Sequence, residues 1–217
     1  MQLPEKILLI DKPSGITSFD VIRILRKKIG VWKMGHAGTL DPMASGLMLI
    51  GVESGTKALA TLLKLPKTYE AEICFGILTD TGDITGKILE EKTVTAIDRP
   101  LLKNVLEGMV GTLQLKVPAY SAIKQGGEAL YKKARRGEVV DTPVRPMTID
   151  SLEFKDMYVK DGLLRVSVVF SVSSGSYIRS IAEELGRRLF VPATLSALRR
   201  VSIGEWKVAD AKTLENL

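Results

Sequence analysis

With 217 residues, 45% of them hydrophobic and 26% charged, the chain can bury a substantial core and is balanced like an ordinary globular protein. No apolar run approaches the roughly 20 residues that span a bilayer, and the start, Met1 to Lys6, lacks a basic region followed by an apolar core, so a soluble cytoplasmic protein is expected. One cysteine, Cys74, and one histidine, His36, exclude an internal disulfide and the usual zinc sites, and 31 basic against 25 acidic residues give a net charge of +6.

In chain order, Lys6–Ile10 reads as a short buried strand and Asp11 to Gly15 as a turn cluster. Thr17 or Ser18 then caps a helix, with Phe19, Ile22, Leu25 and Ile29 at helical spacing, Lys27 and Lys28 in its last turn, and Gly30 as its stop. Residues 21–36 hold Arg23, Arg26, Lys27, Lys28 and Lys33 and no acid. A strand over Leu47–Val52 is followed by a helix around Lys57–Lys64, ended by Pro66. Thr68–Phe75 alternates, with Tyr69, Ala71, Ile73 and Phe75 on one face, and Cys74 there reads as a passive packed thiol.

Thr79–Gly86 is a polar loop, and Thr95 is expected to cap a helix running through Met109. Its inward positions would be Leu101, Leu102, Val105, Leu106 and Met109, with Gly111 as its stop. From Ala119 to Arg145 the chain is basic and rich in Gly, as an excursion from a core would be, and carries Lys124, Lys132, Lys133, Arg135, Arg136 and Arg145. Leu163–Ser173 alternates again, and Ser174-Gly175-Ser176 opens a helix over Ile178–Leu189. Strands cluster and do not alternate regularly with helices, so an α+β fold with a mixed, mainly antiparallel sheet is expected. There is no internal repeat or linker, so 1–217 reads as one domain with an insertion at about 119–145.

The two basic clusters fit either solvated helix faces or a phosphate-contacting surface, because concentrated like charge attracts a polyanion. The densest chemical signal is Gly35 to Gly46, a loop with three glycines, a proline and Asp41. Asp41 precedes Pro42, which favours an extended backbone, and lies between Leu40 and Met43, as a partly desolvated carboxylate would. A turn aspartate bonding its own backbone has the same local chemistry. A second signal is Arg179 in the first turn of the last helix, where the dipole prefers acids, so a neighbouring negative group is expected. Tyr69, after Lys67 and Thr68, leads the apolar face of its strand and fits a core tyrosine equally well.

Taken together, these segments resemble the bacterial tRNA pseudouridine synthases that modify the T-loop uridine. The resemblance rests on Leu9 to Ser18, Gly35 to Pro42, Lys67-Thr68-Tyr69, Thr79 to Asp83, Pro118 to Lys124, Gly127 to Tyr131, Gly175 to Arg179 and Leu198-Arg199-Arg200, all in the family's order. It implies a catalytic aspartate at Asp41, a base-stacking and proton-handling tyrosine at Tyr69, and an arginine at Arg179 paired with the aspartate. It further implies uracil-pocket positions at Tyr177 and Leu198, a T-loop contact at His36, and a supporting role for Lys12. RNA contacts are implied for the thumb-like insertion (Lys124, Lys132, Lys133, Arg135, Arg136) and for Arg199 and Arg200.

The implied reaction breaks the N1–C1′ bond of uridine, turns the base and joins C5 to C1′. This isomerisation needs no cofactor and no metal, and the chain carries no P-loop or dinucleotide fingerprint. The resemblance implies a monomer acting on tRNA without a protein partner. Val117 and Ser176 depart from commoner Pro and Thr. Many members continue past Arg200 into a small C-terminal RNA-binding (PUA-like) module, and this chain stops at Leu217, which implies a short form. A silent tRNA-binding or tRNA-folding protein on the same scaffold is the alternative. A glycoside hydrolase would need a second carboxylate near Asp41, and Asp80 and Asp83 stand in a polar loop.

Overall fold

A computed structural model describes residues 3–216. The chain opens with β1 (Ile7–Lys12) and α1 (Ser18–Ile29), then β2 (Met34–His36), β3 (Ser45–Val52), a 3-10 turn (Glu53–Ala58), α2 (Leu59–Leu63) and β4 (Lys67–Phe75). β5 (Ile77–Thr79), β6 (Ile88–Glu91), α3 (Arg99–Glu107), β7 (Gly111–Lys116), β8 (Lys124–Gln125), β9 (Glu128–Ala129) and α4 (Leu130–Arg135) follow. The rest is β10 (Val144–Lys160), β11 (Leu163–Val172), α5 (Ile178–Arg188), β12 (Ala193–Ile203), β13 (Trp206–Lys207) and β14 (Lys212–Thr213). The class is α+β with mixed strand directions: β3 is antiparallel to β1 and β2, whereas β14 runs parallel to β1 and β12 parallel to β3.

Two compact units share these elements: Met1–Glu70, Ser171–Ser174 and Leu198–Leu217 form the first, and Ala71–Phe170 with Gly175–Ala197 the second. In the first, strand order is β14-β1-β3-β12. Ile7, Leu47 and Leu49 from the strands, Ala37, Leu62, Ile203 and Trp206 make its apolar cluster. β3 is buried at nearly every position, so it reads as a continuous apolar run and not as an alternation. In the second unit the order is β4-β11-β10-β7, with β7 antiparallel to β10 and separate hairpins β5-β6 and β8-β9. β11 buries every second residue from Leu164 to Val172, as its alternation predicts.

α1 begins as its sequence predicts. Thr17 accepts from the backbone of Asp20 while the Asp20 carboxylate takes the Thr17 backbone N–H, a capping box worth about 1 kcal/mol. Gly30 ends the helix at φ 75°, where a side chain would be strained. The buried stripe is Ser18, Val21, Ile22 and Leu25, so Phe19 and Ile29 are exposed and not inward. That stripe keeps the i, i+3, i+4, i+7 spacing and shares Ile22 and Leu25 with the expected one, with Ser18 and Val21 in place of Phe19 and Ile29.

α3 departs further. Its cap is Asp98, which accepts from Leu101 N at 2.8 Å, and not Thr95. A start at Thr95 would put Pro100 in the helix interior, where it costs about 3 kcal/mol, whereas in the first turn its missing N–H is harmless. Leu101 consequently faces solvent, and the helix closes at Gly108, with Gly111 already in β7. The helix expected over 57–64 is a 3-10 turn followed by one α-turn. Here Gly55 packs so closely on Lys6 that a Cβ would lie 2.3 Å from its carbonyl oxygen.

Candidate active site

The loop carrying Asp41 is held by backbone contacts from the turn between β1 and α1. Gly15 N donates to the Pro42 carbonyl at 2.8 Å, and Ser14 Oγ to the Met43 carbonyl at 2.8 Å. Ser18 Oγ both accepts from Leu40 N (2.8 Å) and donates to Leu40 O (3.0 Å). Ala44 N closes the tight turn onto Asp41 O at 3.1 Å. The residues on both sides of Asp41 are therefore fixed by neighbours distant in sequence, while its carboxyl is only half-buried.

Two buried cations bracket this loop. Lys12 is fully buried, and its ammonium donates to the carbonyls of Pro13 (2.9 Å), Ile16 (2.7 Å) and Pro42 (3.4 Å). Burial pulls its pKa from 10.5 to about 8, with the Arg200 charge pulling the same way and Asp41 and Asp20 opposing. Arg200, 1% exposed, donates from Nε to Leu47 O (2.7 Å) and from Nη2 to Gly38 O (3.2 Å). Its place in the sheet depends on Gly46, paired with Arg200 at φ 108°, where a Cβ would lie 2.3 Å from the Arg200 carbonyl oxygen. Arg200 is thus an internal clamp, and its expected place on an RNA-contacting surface is corrected: a guanidinium spent on two backbone carbonyls in the core does not reach a phosphate.

His36 ends β2 opposite Ile50 and is half-buried. Burial, then the Arg200 charge, hold its imidazole below the usual value, against the Gly38 backbone. Tyr69 is buried in β4 and Leu198 in β12. Two residues before Tyr69, buried Lys67 donates to the carbonyls of Leu63 (2.5 Å) and Leu65 (2.6 Å) and to Ser174 Oγ (3.2 Å), closing the end of α2. Its pKa is drawn to about 8 by burial and then by Arg200. Arg199 pairs with Asp11 through both terminal nitrogens, at 3.1 and 2.7 Å, so its charge is already engaged.

In the second unit, three segments flagged from sequence meet at Arg179. The residue is 3% exposed in the first turn of α5 and donates to Thr81 O (2.7 Å) and Tyr120 O (3.0 Å). The Thr79–Gly86 loop is braced from within: Asp83 Oδ1 accepts from Thr85 N (3.0 Å), Thr85 Oγ1 (2.6 Å) and Thr81 Oγ1 (3.1 Å). Tyr120 reaches back to Asp80 at 3.4 Å. Asp80 and Asp83 are thus engaged in turn geometry. Tyr177 immediately precedes α5 and donates its backbone N–H to Met147 Sδ at 3.4 Å.

The basic excursion is a hairpin, β8-β9, leading into α4, anchored by buried Leu130. Lys124, Lys132 and Arg135 are exposed, and Lys133 is half-buried. Arg135 lies over the Tyr131 ring at 5.4 Å. Arg136 is bound by Glu128 through both oxygens (2.6 and 2.9 Å) and by Glu138 (2.7 Å), so it braces the hairpin. Sequence reasoning missed Lys67 and the clamping role of Arg200. The signal for the latter was available, because two arginines interrupt an apolar strand next to a loop rich in glycine.

The family model for TruB family pseudouridylate synthase (N terminal domain) matches residues 26–178. The tRNA pseudouridine synthase B of Xanthomonas campestris is 41% identical over 211 residues, covering 97% of this chain and 67% of that protein. The enzyme of the same name from Corynebacterium efficiens is 38% identical, at 97% and 71% coverage. Among solved structures, an H/ACA RNP bound to a substrate RNA containing 2′-deoxyuridine holds a chain that superposes with a TM-score of 0.71 at 24% identity, a likeness of fold. It covers 97% of this chain, which spans about half the length of that one (51%). The chain belongs to the TruB family of pseudouridylate synthases.

Proposed function

We propose that the protein isomerises a uridine of tRNA, that of the T loop at position 55, to pseudouridine, with Asp41 as its essential carboxylate. The reading is supported by family membership and by likeness, over 97% of this chain and 67% of the relative, to a bacterial enzyme named for tRNA. The observation that carries it is the Asp41 loop, whose backbone is tied on both sides and bracketed by the buried cations Lys12 and Arg200. A carboxylate that must meet a flipped nucleotide in one geometry needs such rigidity, because effective molarity is lost steeply with misplacement.

The target base leaves its stack at a cost of a few kcal/mol, and stacking on Tyr69 returns about 1–3 kcal/mol. His36, kept neutral, fills the space left in the RNA loop, and Tyr177 and Leu198 are substrate-binding residues. Asp41 acts ionised, either by attacking C1′ or C6 or by stabilising positive character at C1′, and Arg179 is a further catalytic residue. Tyr69 is the proton-handling group. Lys124, Lys132, Lys133 and Arg135 meet phosphates, while Lys12 positions the Asp41 loop. Both units serve one catalytic domain, acting in the cytoplasm as a monomer without an obligatory protein partner or cofactor.

The test is pseudouridine formation on an unmodified tRNA transcript, without cofactor, by the parent and by Asp41→Asn. Product from the parent and none from the variant is expected. Binding without product from the parent would refute catalysis and favour a tRNA-binding protein on the same scaffold.

A further inference from the structure

The far end of α1 carries a feature that catalysis at Asp41 leaves unused. Trp32, in the segment that follows the helix, is 77% exposed and Ile29, the last residue of the helix, 42%, whereas the other tryptophan, Trp206, is 9% exposed in the core of the first unit. Lys27, Lys28 and Lys33, all exposed, lie within five residues of Trp32 in the chain. Lys28 Nζ donates to Leu214 O at 2.6 Å, which ties the helix end to the segment that carries Glu215. Two acids close to α1 in the fold are already paired. Glu53, whose N–H is bound to the Lys33 carbonyl, already carries the Lys6 ammonium at 2.5 Å, and Asp20 is held by Arg23 and Thr17 at the opposite end of the helix.

Resting on the reading that the protein acts on tRNA, we propose that Trp32 and the lysines around it form a second RNA contact, in which the indole stacks on a nucleotide outside the target site. Charge decides the kind of partner. Protein interface cores are depleted in lysine, whereas an exposed aromatic among exposed lysines is how sequence-tolerant stacking on nucleic acid is built. Helix length decides which nucleotides it meets. Ser18, at the start of α1, is bonded to Leu40, the neighbour of Asp41. The 12 residues of α1 then carry the chain about 17 Å away from that point. Trp32 therefore contacts RNA several nucleotides removed from the uridine being isomerised.

Intrinsic fluorescence reads this directly, because Trp206 is buried and Trp32 is not. Titration of the parent with an unmodified tRNA transcript is expected to quench its emission, and Trp32→Phe, which keeps Trp206, is expected to lose that quenching. Trp32→Ala raises KM for tRNA about fivefold or more with kcat retained, and Trp32→Phe, which still stacks, recovers most of the loss. Lys27→Ala lowers the salt slope of tRNA affinity by about one. Unchanged parent emission at saturating tRNA, while pseudouridine still forms, overturns the contact and leaves the patch to a protein partner. Quenching without any pseudouridine formation would keep the contact and overturn the catalytic reading instead.

Discussion

Replacing Lys12 with Met tests whether the Asp41 loop is held from beneath by charge. The lysine has no exposed surface, and its pKa is drawn from 10.5 to about 8, chiefly by burial. At about 1.36 kcal/mol per unit that shift corresponds to about 3 kcal/mol spent at neutral pH to keep the ammonium charged. Three carbonyls repay it, two of them at 2.9 and 2.7 Å, and bonds from a charged donor are each worth about 1.5–3 kcal/mol. Methionine of similar length removes both terms and leaves the carbonyls of Pro13, Ile16 and Pro42 without this donor, so the variant is expected to lose about 1–3 kcal/mol at pH 7.

The pH dependence discriminates more sharply. Between the folded pKa near 8 and the unfolded value of 10.5, the unfolded chain holds a proton on Lys12 that the folded chain has released. Stability therefore rises with pH across this window through Lys12, and the variant lacks that rise. Urea unfolding of parent and variant at pH 7.5 and at pH 10, taken as a difference, removes the shared contributions of Lys67 and the tyrosines. The parent's advantage over the variant should grow toward pH 10. Single-turnover pseudouridine formation should fall about 10–100-fold in kcat with KM little changed, because the loop moves while the RNA surface does not. A stability difference independent of pH, together with an unchanged kcat, would refute the clamp.

Two further predictions separate positions that look alike in sequence. Lys132→Ala, on the exposed face of the basic excursion, should weaken tRNA binding and lower its salt slope by about one, whereas Arg200→Lys should leave the slope unchanged and lower stability and kcat through the loss of its hold on Leu47 and Gly38, as tRNA filter binding across a salt series and thermal melts would show. Asp98→Ala should cost about 1 kcal/mol in urea unfolding, the worth of a helix cap, and Thr95→Ala a few tenths at most; the reverse order would restore Thr95 as the cap of α3.

Local chemistry was legible where it acts within a few residues. Thr17, Asp20 and Gly30 bound α1 because capping and a left-handed turn need nothing from the rest of the chain. β11 was readable because one face is buried and the other is not, giving strict alternation. β10 was not readable. Over its 17 residues few positions are buried and no period-2 pattern survives, since only Val144–Ile149 has β7 as a partner. The Asp41 loop was legible as a loop with a carboxylate, but its supports were not. Gly38 and Leu47 are more than 150 positions from Arg200, and no window of sequence connects them.

This limit bears on how charge should be read. The net charge of +6 invites a count of basic residues as RNA contacts. In the folded chain, Lys12, Lys67, Arg179 and Arg200 are buried and donate to carbonyls. Arg136 and Arg199 are spent on acids. An ammonium or guanidinium can serve as a multidentate donor to loop carbonyls, and a loop that must carry an aspartate without a helix or strand around it has many carbonyls to satisfy. Buried cations beside that loop also lower the cost of keeping a carboxylate ionised there. The clamp and the chemistry therefore place the same demand on the sequence. Cations that serve phosphates are expected instead among the exposed ones, at Lys124, Lys132 and Arg135 and near Trp32 in the chain. Substitutions at those positions should move salt dependence, and substitutions at the buried ones should move stability and kcat.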